Sequence, residues 1–76
     1  NAILIDKEIV MSISSKIKEI RRKCFFTQTE FAKALGVSFS TVNRWENEKS
    51  TPNYQALKKI KDFCDRHDIF FLIDMN

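Results

Sequence analysis

Asn43 and Arg44, inside the stretch "STVNRWE", are the residues here best equipped to read a patterned surface. The Arg44 guanidinium is a planar fork. It can donate two hydrogen bonds to guanine O6 and N7, which is worth about 1–3 kcal/mol of discrimination against other bases. The Asn43 amide can pair with adenine N6 and N7 in the same way. Neighbours on a helix point about 100° apart, so the two compete for the groove floor. Ser40 suits a base edge or a phosphate. Thr41 suits a phosphate or completes a helix cap, and Ser38 is a cap first and a phosphate donor second. Phe39 can meet a thymine methyl or pack back on the preceding helix, and both readings stand open. The plain alternative for Arg44 is a solvated charge or a phosphate contact.

Other chemistry finds little to work with. One histidine, no paired carboxylates and no nucleophile–base arrangement argue against an enzyme. A single glycine rules out a Gly-rich phosphate loop. Cys64 and His67 have ligand-like spacing, yet no second pair completes a zinc site. No metal, cofactor or small-molecule substrate is expected. Cys24 and Cys64 fall on expected core faces of helices and are read as buried free thiols in a reducing compartment.

These side chains need a scaffold, and 76 residues supply one domain. A chain this short buries only about 60% of its unfolded surface, so its core must be efficient. No apolar run reaches membrane-spanning length and no signal peptide is visible, so a soluble, cytoplasmic domain is expected, with no membrane partner. Asn1-Ala2, in place of an initiator methionine, reads as a cleavage scar. Residues 1–11 are read as an N-terminal extension, 12–67 as the domain and 68–76 as an apolar tail.

The net charge of +3 hides an asymmetry. Residues 12–61 carry 11 Lys/Arg against 4 Asp/Glu, a net of +7. Residues 1–11 carry −1 and residues 62–76 carry −3, which returns the total of +3. A basic middle between acidic ends suits a polyanion. Its plain alternative is a solvated lysine-rich face.

Hydrophobic spacing predicts four helices. Ile13, Ile17, Ile20 and Cys24 form a 4-3-4 stripe over about 12–24, which Ile9 extends back to a start as early as Lys7, capped by Asp6. Thr27-Gln28-Thr29-Glu30 is a capping box, with Phe26 and Phe31 placed as a hydrophobic staple. It opens a helix over about 28–35 with Phe31, Ala32 and Leu35 inward, and Gly36 ends it. Ser38 caps a third helix over about 39–47. Val42, Trp45 and Glu46 face inward there, and Phe39, Ser40, Asn43, Arg44 and Asn47 face outward. Pro52 and Asn53 open a fourth over about 54–67, with Leu57, Ile60, Phe63 and Cys64 inward. The run "IFFLI" (69–73) is compatible with a strand or a helix continuation, and "ILI" (3–5) is a candidate partner strand. Two short helices joined through Gly36 and Val37 must cross steeply, with Ala32 at the close approach.

The segments "IKEIR" (17–21), "TQTEFAKALGVS" (27–38), "STVNRWENEKSTP" (40–52) and "ALKKI" (56–60) resemble the lambda-repressor-like helix-turn-helix domains of phage repressors, Cro proteins and bacterial regulators. The resemblance covers about two-thirds of the chain. It implies an all-α, compact domain of four to five helices, with room for a short extended segment at the termini. It implies that Gln28 binds a DNA phosphate, that Phe39, Ser40, Asn43 and Arg44 enter the major groove, and that Asn47 and the loop with Lys49 and Ser50 approach the backbone. It also implies an ion pair between Arg21 and Glu46. Lys16 and Lys33 are further candidates for phosphate contact. One departure stands out: the family usually has Gly where this chain has Glu48. A left-handed backbone there would cost about 1 kcal/mol.

The expectation is a sequence-specific double-stranded DNA-binding regulator, most simply a repressor, working as a homodimer on two half-sites. The competing readings are a protein-interaction module on the same scaffold and a DNA-targeting domain of a larger protein. Burial of both Asn43 and Arg44 would defeat the main reading.

Overall fold

The computed structural model of the chain describes residues 7–71. They form four α-helices: α1 (Lys7–Lys23), α2 (Gln28–Leu35), α3 (Phe39–Glu46) and α4 (Tyr54–Arg66). Helix α1 takes the earlier of the two starts its spacing allows. The Asp6 cap, the 3–5 segment and residues 72–76 lie outside the described residues. No helix among the described residues is long and apolar enough to cross a membrane.

The start of α2 is the capping box that the sequence announces. The Thr27 hydroxyl accepts from the Glu30 amide at 3.1 Å, and the Glu30 carboxylate accepts from the Thr27 amide at 2.8 Å. Ser38 caps α3 by accepting from the Thr41 amide at 3.1 Å, and Asn53 caps α4 by accepting from the Ala56 amide at 2.8 Å. Each bond satisfies an amide that a bare helix end would leave without a partner.

All four helices stop in the same way. A left-handed residue follows each: Phe25 (φ 58°), Gly36 (φ 75°), Glu48 (φ 63°) and Asp68 (φ 56°). The next amide then reaches back five residues. Phe26 donates to the Arg21 carbonyl at 3.2 Å, Val37 to Ala32 at 3.0 Å, Lys49 to Arg44 at 2.9 Å and Ile69 to Cys64 at 2.8 Å. This is the Schellman arrangement, and it folds the residue after the turn back over the helix. Phe26, Val37 and Ile69 use it to pack against the core. At α3 that residue is Lys49, which is exposed.

The core gathers Ile17 and Ile20 of α1, Phe31, Ala32 and Leu35 of α2, Val42 and Trp45 of α3, and Ile60, Phe63 and Cys64 of α4. Phe63 is its hub. Phe31 meets it edge-on with ring centres 5.1 Å apart, and His67 lies over it at 4.2 Å. Ala32 is buried at the α2–α3 corner, where a larger side chain would push the helices apart.

Cys64 keeps its expected burial, and the readings of Cys24 and of residues 69–71 change. Cys64 is fully buried, and its thiol is pushed up to about 11, by burial first and then by the Asp65 charge, so it is inert at neutral pH. Cys24 is only half-buried, because α1 ends at Lys23 and Cys24 already belongs to the turn. Residues 69–71 continue neither as helix nor as strand. Ile69 and Phe71 lean on the core and Phe70 is exposed.

Candidate nucleic-acid interface

Helix α3 has two opposed sides. Val42, Trp45 and Glu46 are buried, with Trp45 only 4% exposed. Phe39, Ser40, Arg44 and Asn47 are exposed on the other side and Asn43 is half-buried. Ser40, Asn43, Arg44 and Asn47 recur at i, i+3, i+4 and i+7, which makes one continuous outer edge. Phe39 is 48% exposed at its leading end. At that end Ser38 and Thr41 share a hydroxyl–hydroxyl bond of 2.8 Å.

The tilt of α3 is fixed by the carboxylate on its inner face. Glu46 Oε2 accepts from Arg21 Nε at 2.7 Å, and Glu46 Oε1 accepts from Arg21 Nη2 at 2.9 Å. Arg21 spends its remaining fork on the Phe26 carbonyl at 2.9 Å. The Ser14 hydroxyl donates to the Glu46 backbone carbonyl at 2.8 Å, satisfying an acceptor at the end of α3. Burial alone would raise the Glu46 carboxyl. The hydrogen bonds from Arg21 and Gln28, with the charges of Arg21 and Lys18, outweigh it and hold the group below the ordinary carboxylate range. The pair is bidentate, so it sets orientation as well as distance between α1 and α3.

Gln28, the first residue of α2, joins the same carboxylate. Its Nε2 donates to Glu46 Oε1 at 2.9 Å, and its Oε1 accepts from Asn43 Nδ2 at 3.1 Å. Asn47 Nδ2 donates to the Asn43 side-chain oxygen at 3.1 Å and to the Asn43 backbone carbonyl at 2.9 Å. Three polar residues on the expected interface are thus tied together by hydrogen bonds before any ligand arrives. Helical spacing assigns each residue to a face, but it does not reveal that the faces of α2 and α3 meet through these amides.

The lysines divide. Lys33 and Lys49 are exposed. Lys16 is half-buried and pairs with Glu19 at 3.5 Å, as does Lys23. Ser14 and Arg21 mark the face of α1 that meets α3. At 100° per residue Lys16 lies roughly 150° from that face and Lys18 roughly 50°. Lys18 is therefore the nearer of the two to α3, and its charge contributes to lowering the Glu46 carboxyl. Charge counting along the sequence does not separate the two.

Glu48 is left-handed without being glycine. Glu48→Gly is expected to raise stability by about 1 kcal/mol, by removing the steric cost of that conformation. The urea midpoint should rise with an unchanged m-value. The same substitution removes a negative charge beside Lys49 and should tighten binding to any polyanion. A midpoint that stays put would show that the turn carries no such cost.

A cleft of about 270 Å³ lies beside α3, with Thr41, Trp45, Thr51 and Lys59 among its walls, and no carboxylate, histidine or thiol lines it. Among the described residues, no group of three His, Cys, Asp or Glu is arranged to hold a metal ion.

Comparison with known proteins accounts for this arrangement. The helix-turn-helix family pattern matches residues 17–68. The chain is 42% identical over 57 residues to the type II methyltransferase M.SsoII of Shigella sonnei, covering 71% of this chain and 15% of that protein. It is 34% identical over 53 residues to the HTH-type transcriptional activator BcrR of Enterococcus faecalis, covering 70% of this chain and 26% of that protein. The chain spans well under a third of either relative. The matched span runs from the buried face of α1 past the end of α4, and the chain belongs to the lambda-repressor-like helix-turn-helix family of DNA-binding domains.

Proposed function

We propose that the domain binds double-stranded DNA sequence-specifically, with α3 lying in the major groove, and that it regulates transcription by repression. The observation that carries this reading is the opposition of the two sides of α3: a buried face locked by Glu46 and an exposed edge of short polar residues and one arginine. Arg44 reads a guanine and Asn43 an adenine, while Ser40 and Phe39 meet the groove at the leading end of the helix. Gln28, Ser38, Thr41, Asn47, Lys49 and Lys33 hold phosphates, with Lys18 at the flank. Lys16 is the least favoured of the phosphate candidates, because it faces away from α3 and is paired with Glu19. Phosphate contacts set the register and carry no sequence information, and the base contacts of α3 supply it. Repression needs only occupancy of a promoter, which such a domain achieves without a second partner. A single module makes few base contacts, so useful specificity calls for a homodimer on half-sites about one helical turn apart.

A second reading is favoured by the methyltransferase relative, in which the matched segment is 15% of the protein. On that reading the same contacts deliver a larger protein to its site on DNA.

Selection of bound sites from a random DNA pool tests the shared claim. A defined half-site, recurring with two-fold symmetry, is the expected result. With about four phosphates neutralised, log K should fall against log salt with a slope near −3.6. A flat salt response with no enriched sequence would reject DNA binding and favour the protein-interaction module.

A further inference from the structure

We propose that Glu46, acting through Gln28, sets which way round Asn43 presents its amide to the groove, and so acts as a positioning residue for base specificity. This deepens the reading above and rests on Asn43 facing a base pair.

A carboxamide has a donor end and an acceptor end of nearly equal size, so its contacts decide its orientation. Here both ends of a chain of amides terminate on groups that only accept. At one end the Glu46 carboxylate, held ionised by Arg21, takes a hydrogen bond, so the nearer end of Gln28 must be its NH₂ at 2.9 Å. The far end of Gln28 is then oxygen and accepts, so Asn43 must turn its own NH₂ toward it at 3.1 Å. The Asn43 oxygen is left to accept from Asn47 at 3.1 Å. Asn47 is oriented independently, because its NH₂ also donates to the Asn43 backbone carbonyl at 2.9 Å. Reversing any one amide would set donor against donor or acceptor against acceptor along the whole chain.

An amide has two N–H donors and two acceptor lone pairs. Within this chain Asn43 uses one of each, keeping one N–H and one lone pair in a fixed arrangement. That pair matches adenine N7 and N6–H in one orientation only. A reversed amide would place its oxygen against N7 and its NH₂ against the N6 amino group. Gln28 retains one N–H, which suits its phosphate contact, so the two roles do not compete. Arg44 stands outside the chain and should be indifferent to it.

The test is site selection and competition binding with Gln28→Met, Asn43→Ala and the double variant. Methionine keeps the length of Gln28, removes both of its side-chain bonds and leaves the Arg21–Glu46 pair in place, so the fold should persist. Thermal unfolding checks this. Asn43→Ala identifies the base pair that Asn43 faces. Gln28→Met is expected to flatten preference at that same base pair, on the order of tenfold down to under about threefold, with the Arg44-dependent position unchanged. In the Asn43→Ala background, Gln28→Met should bring no further position-specific change. A uniform loss at every position would overturn the polarity role and leave Gln28 a phosphate contact. Flattening at all positions would overturn it in favour of general loosening of α3. If Asn43→Ala alters no position, the base-reading role of Asn43 fails, and this inference fails with it.

Discussion

Arg21→Met is expected to lower the stability of the domain by about 3 kcal/mol at neutral pH, because it leaves a buried carboxylate without its counter-charge. A chain of this length has roughly 4–11 kcal/mol in all, so the loss is a large share of the whole. The pH dependence separates this cause from lost packing. In the native domain the Glu46 carboxyl lies below its ordinary value near 4.5. The folded state then binds fewer protons than the unfolded state around that pH. The contribution is complete above the unfolded value and is lost as pH falls through the folded one. In Arg21→Met the main opposing influence disappears and burial raises the group instead. The sign reverses: the variant loses stability as pH rises through the unfolded value. Urea midpoints at pH 7 and near pH 4 should therefore show a gap that narrows on acidification. A gap of equal size at both would assign the loss to packing alone. Adding Glu46→Leu to Arg21→Met should recover much of the stability, since replacing both members of a buried pair is far cheaper than breaking it.

Arg44→Ala is expected to flatten preference at one base pair by about 1–3 kcal/mol, roughly five- to 150-fold. Arg44 is exposed and outside the core, so stability should change by no more than about 0.5 kcal/mol. Competition with singly substituted sites measures the first quantity and thermal unfolding the second. An equal loss on every sequence would assign Arg44 to a phosphate. Together the two substitutions separate the brace of α3 from its exposed edge: one should destabilise the domain without addressing a particular base, and the other should blur recognition in an intact fold.

Much of the scaffold is legible in the sequence because local chemistry decides it. The capping box at Thr27–Glu30 bounds α2 to the residue, Gly36 ends it, and Ser38 and Asn53 open the next two helices. Trp45 is recognisable as core from its stripe with Val42. The contact between Arg21 and Glu46 came only with the family resemblance, since nothing in helical spacing joins residues 25 apart. What remained hidden depends on more than one element. Ser14 carries no mark of its role in the sequence, because that role exists only once α3 lays its last carbonyl on it. Gln28, Asn43 and Asn47 look like three independent polar side chains until the α2–α3 corner brings two of them together. The turns at Phe25 and Asp68 gave no sign, because glycine is the usual flag for a left-handed residue and neither carries one.

Those turns bear on how such a domain can change its target over evolutionary time. Most substitutions on a recognition edge erode folding a little, and a small protein has limited room to absorb them. Three of the four helix endings among the described residues are left-handed without glycine; those at Phe25 and Asp68 lie far in the chain from the exposed edge of α3, and Glu48 directly follows it. A lineage that relaxed them would gain tolerance for otherwise ruinous variants of that edge. New operators would come within mutational reach, with the hydrophobic centre unaltered.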